Sequence, residues 1–283
     1  MNNWLYFYQH IPGHLSPTAV SFGPISIGWY SLMYLAGFLA VYLLLRYRIK
    51  KKEGRVKISL VTNFLIYAFI GLIVGARLGY VFFYNFPYYR DNLLAVISPF
   101  DPNTGEFTGI YGLSYHGGLI GIIAASLIFS RRNRIDFWPL ANFAVPAIPA
   151  GYFFGRIGNF LNGELYGRPT DSILGMYFPA DNLGLSRHPS QLYEATLEGL
   201  ILFLILWKIR NSEKFKNKLV GLYVLGYASV RIISEFFREP DEQIGFIFKI
   251  LTLGQILSLI MLISGIVLVL YPKNQKDATI LEK

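Results

Sequence analysis

Seven long runs of apolar residues dominate this 283-residue sequence and constrain its fold more than any other feature. A bilayer core about 30 Å thick is crossed by about 20 apolar residues of helix. Hydrophobic residues make up 53% of the chain and charged residues 15%, against about 25% charged in soluble domains. We therefore predict an all-α polytopic membrane protein with seven transmembrane helices in a single membrane-embedded domain, residues 1–283. The predicted spans are 25–45, 60–83, 114–129, 138–160, 191–207, 219–237 and 250–271.

Two of these spans contain residues that disturb a regular helix. The third is short and opens with glycines (HGGLIG), and the fourth contains prolines and glycines (PAIPAGYFFGRIG). Irregular backbone is tolerated at membrane depth only where it is buried in protein or lines a cavity. We therefore expect the third span to begin as a re-entrant or broken segment, and the fourth to be interrupted.

The distribution of positive charge predicts the orientation of the spans. Eighteen of the 26 lysines and arginines fall in the connections 46–57, 131–134 and 208–218 and in the tail after Tyr271, whereas five fall on the opposite face. Cytoplasmic loops of membrane proteins carry an excess of Lys and Arg. We predict a cytoplasmic C-terminus and an N-terminus outside, and we interpret the basic loops as topology determinants rather than nucleic-acid sites.

Two outer connections are long. Residues 85–113 are predicted to form an outer loop or arm, and residues 161–190 a small extracytoplasmic head inserted between spans four and five. The second connection mixes Met, Tyr, Phe and Leu with turn residues, so we expect it to fold, with short strands. Long connections without an obvious helix are typically functional or disordered.

Several kinds of chemistry find no support in the sequence. The chain has no Cys, which excludes disulfides, thiolate metal sites and a cysteine nucleophile of its own. No HExxH, GxSxG or Walker A motif is present, and the pair His10 and His14 has no third metal ligand near it. A dyad of Ser114 and His116 is unsupported by their spacing. We expect no metal, no ATP and no other cofactor.

Polar and ionisable side chains collect at the outer ends of several predicted spans. Such residues are costly within a membrane, at least about 2.5 kcal/mol each near a helix centre, so they are interpreted as functional. Guanidinium groups suit phosphate geometry, and a His at the membrane edge suits proton transfer. The pattern therefore indicates an anionic phospholipid head group as ligand. The candidates are Tyr30 in the first span, Arg77 in the second, His116 in the third, Arg156 and Asn159 in the fourth with Glu164 just beyond, and Tyr227, Arg231, Glu235 and Arg238 along the sixth.

Each candidate also has a structural interpretation when taken alone. Arg231 and Glu235, four residues apart, could form an ion pair that hides two charges from lipid. Arg156 could extend to the membrane interface, and His116 could cap or pack a helix start. The tyrosines could belong to an aromatic belt. Only the convergence of all these groups at one level favours function.

The same residues lie in blocks that resemble the prolipoprotein diacylglyceryl transferase family. The blocks are GWYSLMYLAGFL, GARLGYVFFYNF, SYHGGLIG, GRIGNFLNGELYGRPT, RHPSQLYEATLEG, RIISEFFREPD and LGQILS. They run in the family's order from Gly28 to Ser258, and GRIGNFLNGELYGR is specific to the family. The stretch 169–187 is shorter than in some members.

The resemblance implies an activity, its partners and a location. The diacylglyceryl group of phosphatidylglycerol would be moved to the lipobox cysteine thiol of a preprolipoprotein, forming a thioether and releasing glycerol-1-phosphate, the first step of bacterial lipoprotein maturation. Both substrates are embedded in the bilayer, so a lateral gate for lipid and a second route for peptide or product are expected. The location implied is the bacterial cytoplasmic (inner) membrane, with the active site near its outer, periplasmic face.

The resemblance also implies roles for individual residues. His116 would be the general base, with Glu235 as the alternative. Arg156 would bind the lipid phosphate, and Arg231 would be the second charge clamp, oriented by Glu235. The residues that would position or bind the head group are Asn159, Glu164 and Tyr30, and the further substrate-binding residues expected are Arg77, Tyr227 and Arg238.

Three other classes of function remain as alternatives. A different enzyme acting on lipid head groups would share the arginines but not the thiol acceptor. A transporter or lipid-binding channel would place polar residues along a path through mid-membrane. An intramembrane protease would need a nucleophile, which the sequence does not offer.

Overall fold

The computed structural model describes residues 3–23, 25–53, 56–98, 100, 105, 112–240, 246–247 and 251–272. This part of the chain is mostly helical. The helices are α1 (Asn3–His10), α2 (Trp29–Lys50), α3 (Ile58–Phe83), α4 (Phe86–Asp91), α5 (Tyr115–Asn133), α6 (Phe137–Ala144), α7 (Ile148–Leu161), α8 (Ser190–Glu194), α9 (Leu202–Ile209), α10 (Leu219–Glu235) and α11 (Leu253–Leu270). Short antiparallel pairs are formed by β1 (Thr18–Phe22) with β2 (Ile25–Gly28), β3 (Met176–Tyr177) with β4 (Ser186–Arg187), and β5 (Phe246–Ile247) with β6 (Leu251–Thr252).

Three helices in the described part of the chain are long and apolar enough to cross a membrane. They are α2, α3 and α11, with 22, 26 and 18 residues. At 1.5 Å rise per residue, 18 residues extend about 27 Å, close to the thickness of a bilayer core. The prediction of an all-α membrane protein agrees with this helical architecture, and the number of seven spans stays a prediction.

The predicted start of the first span is wrong. Residues Ile25–Gly28 form strand β2 rather than the first turn of a helix, and the helix begins at Trp29. The backbone N–H of Trp29 donates to the Pro17 carbonyl at 3.0 Å, which closes the hairpin onto the helix start. The alternation of apolar and polar residues in Ile-Ser-Ile suits a paired strand, so the apolar run is divided between two elements.

Helix α2, the helix of the first predicted span, also continues five residues beyond the predicted end of that span. Its last turn contains Arg48, which is 3% exposed. The Arg48 Nε donates to Glu53 at 3.0 Å, and its guanidinium carbon lies 4.5 Å from the centre of the Phe143 ring. Because Glu53 neutralises the charge and Phe143 covers it, the helix tolerates an arginine inside the packed structure.

The fourth predicted span is interrupted, as its prolines indicate. Helix α6 ends at Ala144, a 3-10 turn covers Val145–Ala147, and α7 begins at Ile148. Pro146 and Pro149 have no backbone N–H to donate to the preceding turn, which separates the two helices. The third span, in contrast, begins as a regular helix at Tyr115, and the expectation of a broken start is wrong.

The fifth predicted span is continuous but changes helical type. The chain is α-helical over Ser190–Glu194, π-helical over Ala195–Ile201 and α-helical again over Leu202–Ile209. The wider π turn rotates the residues that follow it, and such turns occur frequently at functional sites. The sixth span ends at Glu235, two residues earlier than predicted.

The last predicted span corresponds to α11. This helix begins with a capping box, in which the Gln255 N–H donates to Thr252 Oγ1 and the Thr252 N–H donates to Gln255 Oε1. The reciprocal bonds satisfy two backbone donors at the helix start. Residue 250, the predicted first residue of this span, lies outside the described residues. So do most residues of the predicted outer connection after residue 98, and the basic tail from residue 273.

The chain divides into two compact units, described one at a time. The smaller unit covers Gly54–Phe137, and its main contact is between α3 and α5. Gly71 and Gly75 of α3 face Gly117 and Gly121 of α5 so closely that a Cβ on Gly121 would collide with the Gly71 carbonyl. Small residues at facing positions allow this approach of two helices in a membrane, which explains the glycines that open the third span.

The larger unit covers Met1–Glu53 and Trp138–Lys276. Helix α2 packs on α7, and α10 packs on α11. Between α7 and α8, residues 162–189 fold around the β3–β4 pair, in which Met176 pairs with Arg187. The Arg187 guanidinium donates to both carboxylate oxygens of Asp181 at 2.9 Å and to Glu239 at 2.9 Å. This network ties the segment to the chain that follows α10.

Candidate active site

A cluster of buried arginines and glutamates lies where α7, α8 and α10 of the larger unit meet. Its centre is Glu194, the last residue of α8, whose side chain is 1% exposed. Glu194 Oε2 lies 2.7 Å from Arg156 Nε, and Glu194 Oε1 lies 3.1 Å from Arg231 Nη1. One carboxylate therefore bridges the two arginines that the sequence singles out on separate helices.

Arg156 is held on three sides by its neighbours. Its Nε donates to Tyr152 Oη at 2.8 Å, one helical turn earlier on α7, and its Nη1 donates to Asn159 Oδ1 at 3.3 Å. The spacing of three and four residues places Tyr152, Arg156 and Asn159 on one face of the helix. The prediction that Arg156 and Asn159 share a helix face agrees with the hydrogen bond between them.

A second carboxylate joins the cluster from the π-helical turn. Glu198 is fully buried, and its Oε2 accepts a hydrogen bond from Tyr152 Oη at 2.5 Å. Its Oε1 lies 3.7 Å from Arg231 Nη1. Glu194 and Glu198 are four residues apart, about one helical turn, so both carboxylates lie on one side of the chain and face Arg231.

Arg231 and Glu235 form the predicted pair along α10. Arg231 Nη2 lies 2.6 Å from Glu235 Oε2, and the other oxygen of Glu235 accepts from Thr252 Oγ1 at 2.9 Å. Glu235 is 4% exposed. Both carboxylate oxygens are therefore engaged, which fixes the position of Glu235 and through it that of Arg231.

Arg238, just beyond α10, is the third cation of the cluster. Its Nη1 lies 3.8 Å from Glu194 Oε1. Its backbone carbonyl accepts from Arg168 Nε at 2.8 Å, and Gly167 pairs with it in a β-bridge. A Cβ on Gly167 would collide with the carbonyl of Phe237, so a glycine is required for the two chain segments to approach.

Glu164 lies beside the cluster on a strained turn. Its Oε1 accepts from Asn159 Nδ2 at 2.8 Å, and its backbone carbonyl accepts from Gln191 Nε2 at 2.7 Å. The next residue, Leu165, has a φ of +58°, an uncommon conformation for a side chain of this kind. Ser190 Oγ holds the Leu165 carbonyl at 2.9 Å, so the start of α8 stabilises the turn that places Glu164.

Two predicted tyrosines lie around this cluster. Tyr227 is 8% exposed, and its ring packs edge-on against the Tyr152 ring at 5.7 Å between centres. Tyr30 of α2 donates to Tyr34 Oη at 3.1 Å. Its ring lies beside Gly158, where an added Cβ would be 3.3 Å from Tyr30 Cδ2. Tyr30 therefore neighbours the helical turn that carries Asn159.

Arg77 and His116 belong to the smaller unit. The Arg77 guanidinium donates to the backbone carbonyls of Val96, Ala95 and Gly112 at 2.8, 2.6 and 3.3 Å, and Tyr89 stacks on it. These contacts hold the chain that follows α3, so they favour a structural role for Arg77. His116 is an exposed residue in the first turn of α5, two residues after the N-cap Ser114.

Sequence reasoning missed three members of the cluster, namely Tyr152, Glu194 and Glu198. A signal for the acidic pair was present, because YEATLEG places two glutamates four residues apart inside an apolar span. Intramembrane carboxylates require partners as much as intramembrane arginines do. Counting acidic residues inside the spans would have identified both.

The arginines of the cluster are side chains of a type that suits phosphate recognition. The side chains of Arg156 and Arg231 are 12% and 11% exposed, so neither arginine is completely enclosed. Their described contacts occupy Nε and Nη1 of Arg156 and the two Nη atoms of Arg231. Planar guanidinium groups held in this way present their remaining N–H groups to phosphate oxygens.

Comparison with known proteins agrees with the resemblance of the sequence blocks. Residues 17–271 match the family described as prolipoprotein diacylglyceryl transferase. A phosphatidylglycerol–prolipoprotein diacylglyceryl transferase of Chlorobaculum tepidum is 43% identical over 273 residues, which cover 96% of this chain and 94% of that protein. One of Rickettsia bellii is 45% identical over 261 residues, covering 91% and 95%. One of Marinomonas sp. is 44% identical over 253 residues, covering 89% and 91%. Because these matches extend over almost the whole chain, the protein belongs to the prolipoprotein diacylglyceryl transferase family, whose named members are transferases.

Proposed function

We propose that this protein transfers the diacylglyceryl group of phosphatidylglycerol to the lipobox cysteine of a preprolipoprotein. The observation that carries the proposal is the bridge of Glu194 between Arg156 and Arg231. Two guanidinium groups held a fixed distance apart provide a cradle for one phosphodiester. The names of the relatives in Chlorobaculum tepidum and Rickettsia bellii support the same two substrates.

The proposed reaction needs a base that accepts the thiol proton and a cation beside the departing phosphate. The cysteine sulfur attacks carbon 3 of the diacylglycerol, a C–S bond forms, and the C–O bond to phosphate breaks with its electron pair on oxygen. The products are a thioether and glycerol-1-phosphate, and the thiol proton passes to a base. Charge grows on the departing phosphate, where preorganised donors are worth about 2.7–4 kcal/mol each.

Arg156 and Arg231 are the groups proposed to meet this charge. Asn159 and Glu164, joined by a 2.8 Å hydrogen bond, are proposed to position the glycerol head group. Tyr30, Tyr227 and Arg238 complete the binding surface in this proposal. Arg77 is retained only as a residue that organises the chain after α3.

His116 is proposed as the base that accepts the thiol proton. A thiol with a pKa of about 8.5 is mostly protonated at neutral pH, so a base assists its attack. Glu235 is the alternative, but both of its oxygens are occupied by Arg231 and Thr252. A carboxylate so engaged is a weak proton acceptor, and its contacts favour the orientation of Arg231 as its role.

The proposal includes a location and an orientation. We infer seven spans, with the N-terminus outside and the C-terminus in the cytoplasm, because the basic connections fall on one face. Residues 161–190 then form an extracytoplasmic head and residues 85–113 an outer loop of one membrane-embedded domain. The reaction would take place near the outer face of the bacterial inner membrane.

Peptide mass spectrometry tests the proposed function directly. Purified protein in detergent is incubated with phosphatidylglycerol of defined acyl chains and a signal peptide that contains a lipobox cysteine. The expected result is a mass increase equal to one diacylglyceryl group on the cysteine, and no change in a matched peptide with serine in its place. An unmodified cysteine peptide, with a folded protein in the assay, would reject the proposal.

A further inference from the structure

The buried cluster contains equal numbers of positive and negative side chains. Three arginines and three glutamates are joined by contacts of 2.6–3.8 Å. Two flanking groups, Arg168 and Glu164, add one charge of each sign. The members of the cluster are Arg156, Arg231, Arg238, Glu194, Glu198 and Glu235.

The three carboxylates of the cluster differ in how closely they contact the arginines. Glu235 and Glu194 each make a close ion pair, at 2.6 and 2.7 Å. Glu198 lies farther from the arginines, with its Oε1 3.7 Å from Arg231 Nη1. It is nevertheless fully buried. A buried charge that is only partly compensated acts on any other charge that enters the site.

The proposed substrate and product differ in charge at this site. A phosphodiester has one negative charge at every physiological pH, whereas a phosphomonoester acquires a second charge near pH 6. The reaction converts the first into the second when the C–O bond breaks and the thiol proton leaves. A site with no excess positive charge accommodates the first anion far better than the second, because each further negative charge meets Glu194 and Glu198.

We propose that the carboxylate pair Glu194 and Glu198 makes the arginine site selective for a singly charged phosphodiester and expels the doubly charged phosphomonoester. This inference rests on the proposed function, since it assigns specificity and product release to the same site. We assign the effect of Glu198 to its charge, since its contacts among the described residues are with Tyr152 and Arg231. It is therefore a residue that determines specificity, and it takes no part in bond formation.

Wild-type protein provides the first test, by titration calorimetry in detergent with two soluble probes. Glycerophosphoglycerol represents the phosphodiester head group, and glycerol-1-phosphate represents the product. We expect the affinity for glycerol-1-phosphate to fall about tenfold between about pH 5 and about pH 8, as the second charge forms, and that for glycerophosphoglycerol to change much less. Tighter binding of glycerol-1-phosphate at pH 8 than at pH 5 would overturn the proposal.

Titratable and charged groups from three helices face Glu198. From α7 they are Tyr152 and Arg156, and from α10 they are Arg231 and the Tyr227 ring beside Tyr152. Its own helix contributes Glu194. Arginines keep their charge throughout this range, so a change in affinity that appears only with glycerol-1-phosphate reports the second ionisation of that ligand.

Glu198→Gln is the decisive variant, because glutamine keeps the volume and an acceptor for Tyr152. We expect it to bind glycerol-1-phosphate about tenfold more tightly at pH 8, and to lose most of the pH dependence. Glu198→Asp should retain the wild-type pattern. Glu213→Gln, at a side chain that is 86% exposed, is the matched control. Equal tightening for both probes in Glu198→Gln, or none, would contradict the proposal.

The binding measurements separate this inference from the proposed function. Selective binding of the phosphodiester with no transfer to the peptide would retain the specificity and reject the reaction. Transfer to the peptide with an unselective site would retain the reaction and reject the role of Glu198. If Glu198→Gln fails to fold, the wild-type pH series still decides the question.

Discussion

Removing the charge of Glu194 tests the structural basis of the site. Glutamine has the same shape, but it cannot neutralise Arg156 and Arg231, which lie 2.7 and 3.1 Å from the two oxygens. Two unit charges 3 Å apart interact by about 5.5 kcal/mol at an effective dielectric constant of 20, before desolvation is counted. Breaking a buried pair by removing one partner costs roughly 3–5 kcal/mol.

This cost predicts two measurable changes in Glu194→Gln. Stability falls by roughly 2–4 °C in Tm for each kcal/mol in a domain of 150–250 residues, so we expect Tm to decrease by roughly 10 °C. The arginines also lose their fixed separation, and the loss of one preorganised donor lowers kcat by about 10²–10³. Circular dichroism during heating gives the first quantity, and the rate of peptide modification, measured well below Tm, gives the second.

Two further variants distinguish the bridge from a general effect of charge. Glu194→Asp keeps the charge but is one methylene shorter, so it can approach only one arginine closely, and we expect an intermediate loss. Glu213→Gln removes an exposed carboxylate and should change neither quantity. If Glu194→Gln keeps wild-type Tm and activity, the carboxylate does not organise the arginines and the reasoning is refuted.

Three other predictions concern separate parts of the molecule. Arg231→Lys should lower kcat at least tenfold, because a lysine cannot contact Glu194 and Glu235 together while presenting a flat edge to phosphate; a wild-type rate would contradict this. The hydrogen bonds of Arg187 hold the pKa of Asp181 below its usual value, so the pair stabilises the fold above about pH 4 and loses this effect as the pH falls through the lowered pKa. Heating at pH 7 and pH 3 should therefore show a smaller drop in Tm for Asp181→Asn than for wild type, and equal drops would count against the pair. Gly121→Ala should lower Tm, since its Cβ would collide with the Gly71 carbonyl, whereas Gly155→Ala, with open space around it, should not; equal Tm values would exclude the close packing.

The helices could largely be predicted from the apolar runs, but their ends could not. The period and length of an apolar run indicate that a segment is buried. They do not show at which residue a paired strand ends and a helix begins. Ile25–Gly28 are apolar enough for a span, and only the partner strand β1 makes them a hairpin. The extension of α2 past residue 45 depends on Glu53 and Phe143, which neutralise and cover Arg48. Neither contact is visible in the local sequence.

Only part of the site could be predicted, because contacts between separate helices are not visible in the local sequence either. Spacings within one helix identified Arg156 with Asn159 and Arg231 with Glu235, because residues three and four apart share a face. The carboxylate that joins the two helices comes from a third one. A π-helical segment follows Glu194, and a period of 3.6 residues does not reveal such a segment.

The contacts of Arg77 give a further example of the limits of sequence reading. An arginine inside an apolar span indicates function as readily as structure. Its partners are the carbonyls of Ala95, Val96 and Gly112, which lie between 18 and 35 residues away along the chain. Backbone acceptors have no sequence signal, so only the folded chain favours the structural role.

Phosphorus NMR of the purified protein follows the loss of the phosphodiester and the formation of the phosphomonoester in one experiment. Phosphatidylglycerol, the cysteine peptide and either wild type or Arg156→Gln are mixed in detergent, and the phosphodiester and phosphomonoester signals are followed with time. Wild type is expected to convert the phosphodiester signal into the phosphomonoester signal only when the peptide has its cysteine. Folded Arg156→Gln is expected to be slower by a factor of about 10²–10³. Conversion without the cysteine, or at an equal rate in Arg156→Gln, would contradict these expectations.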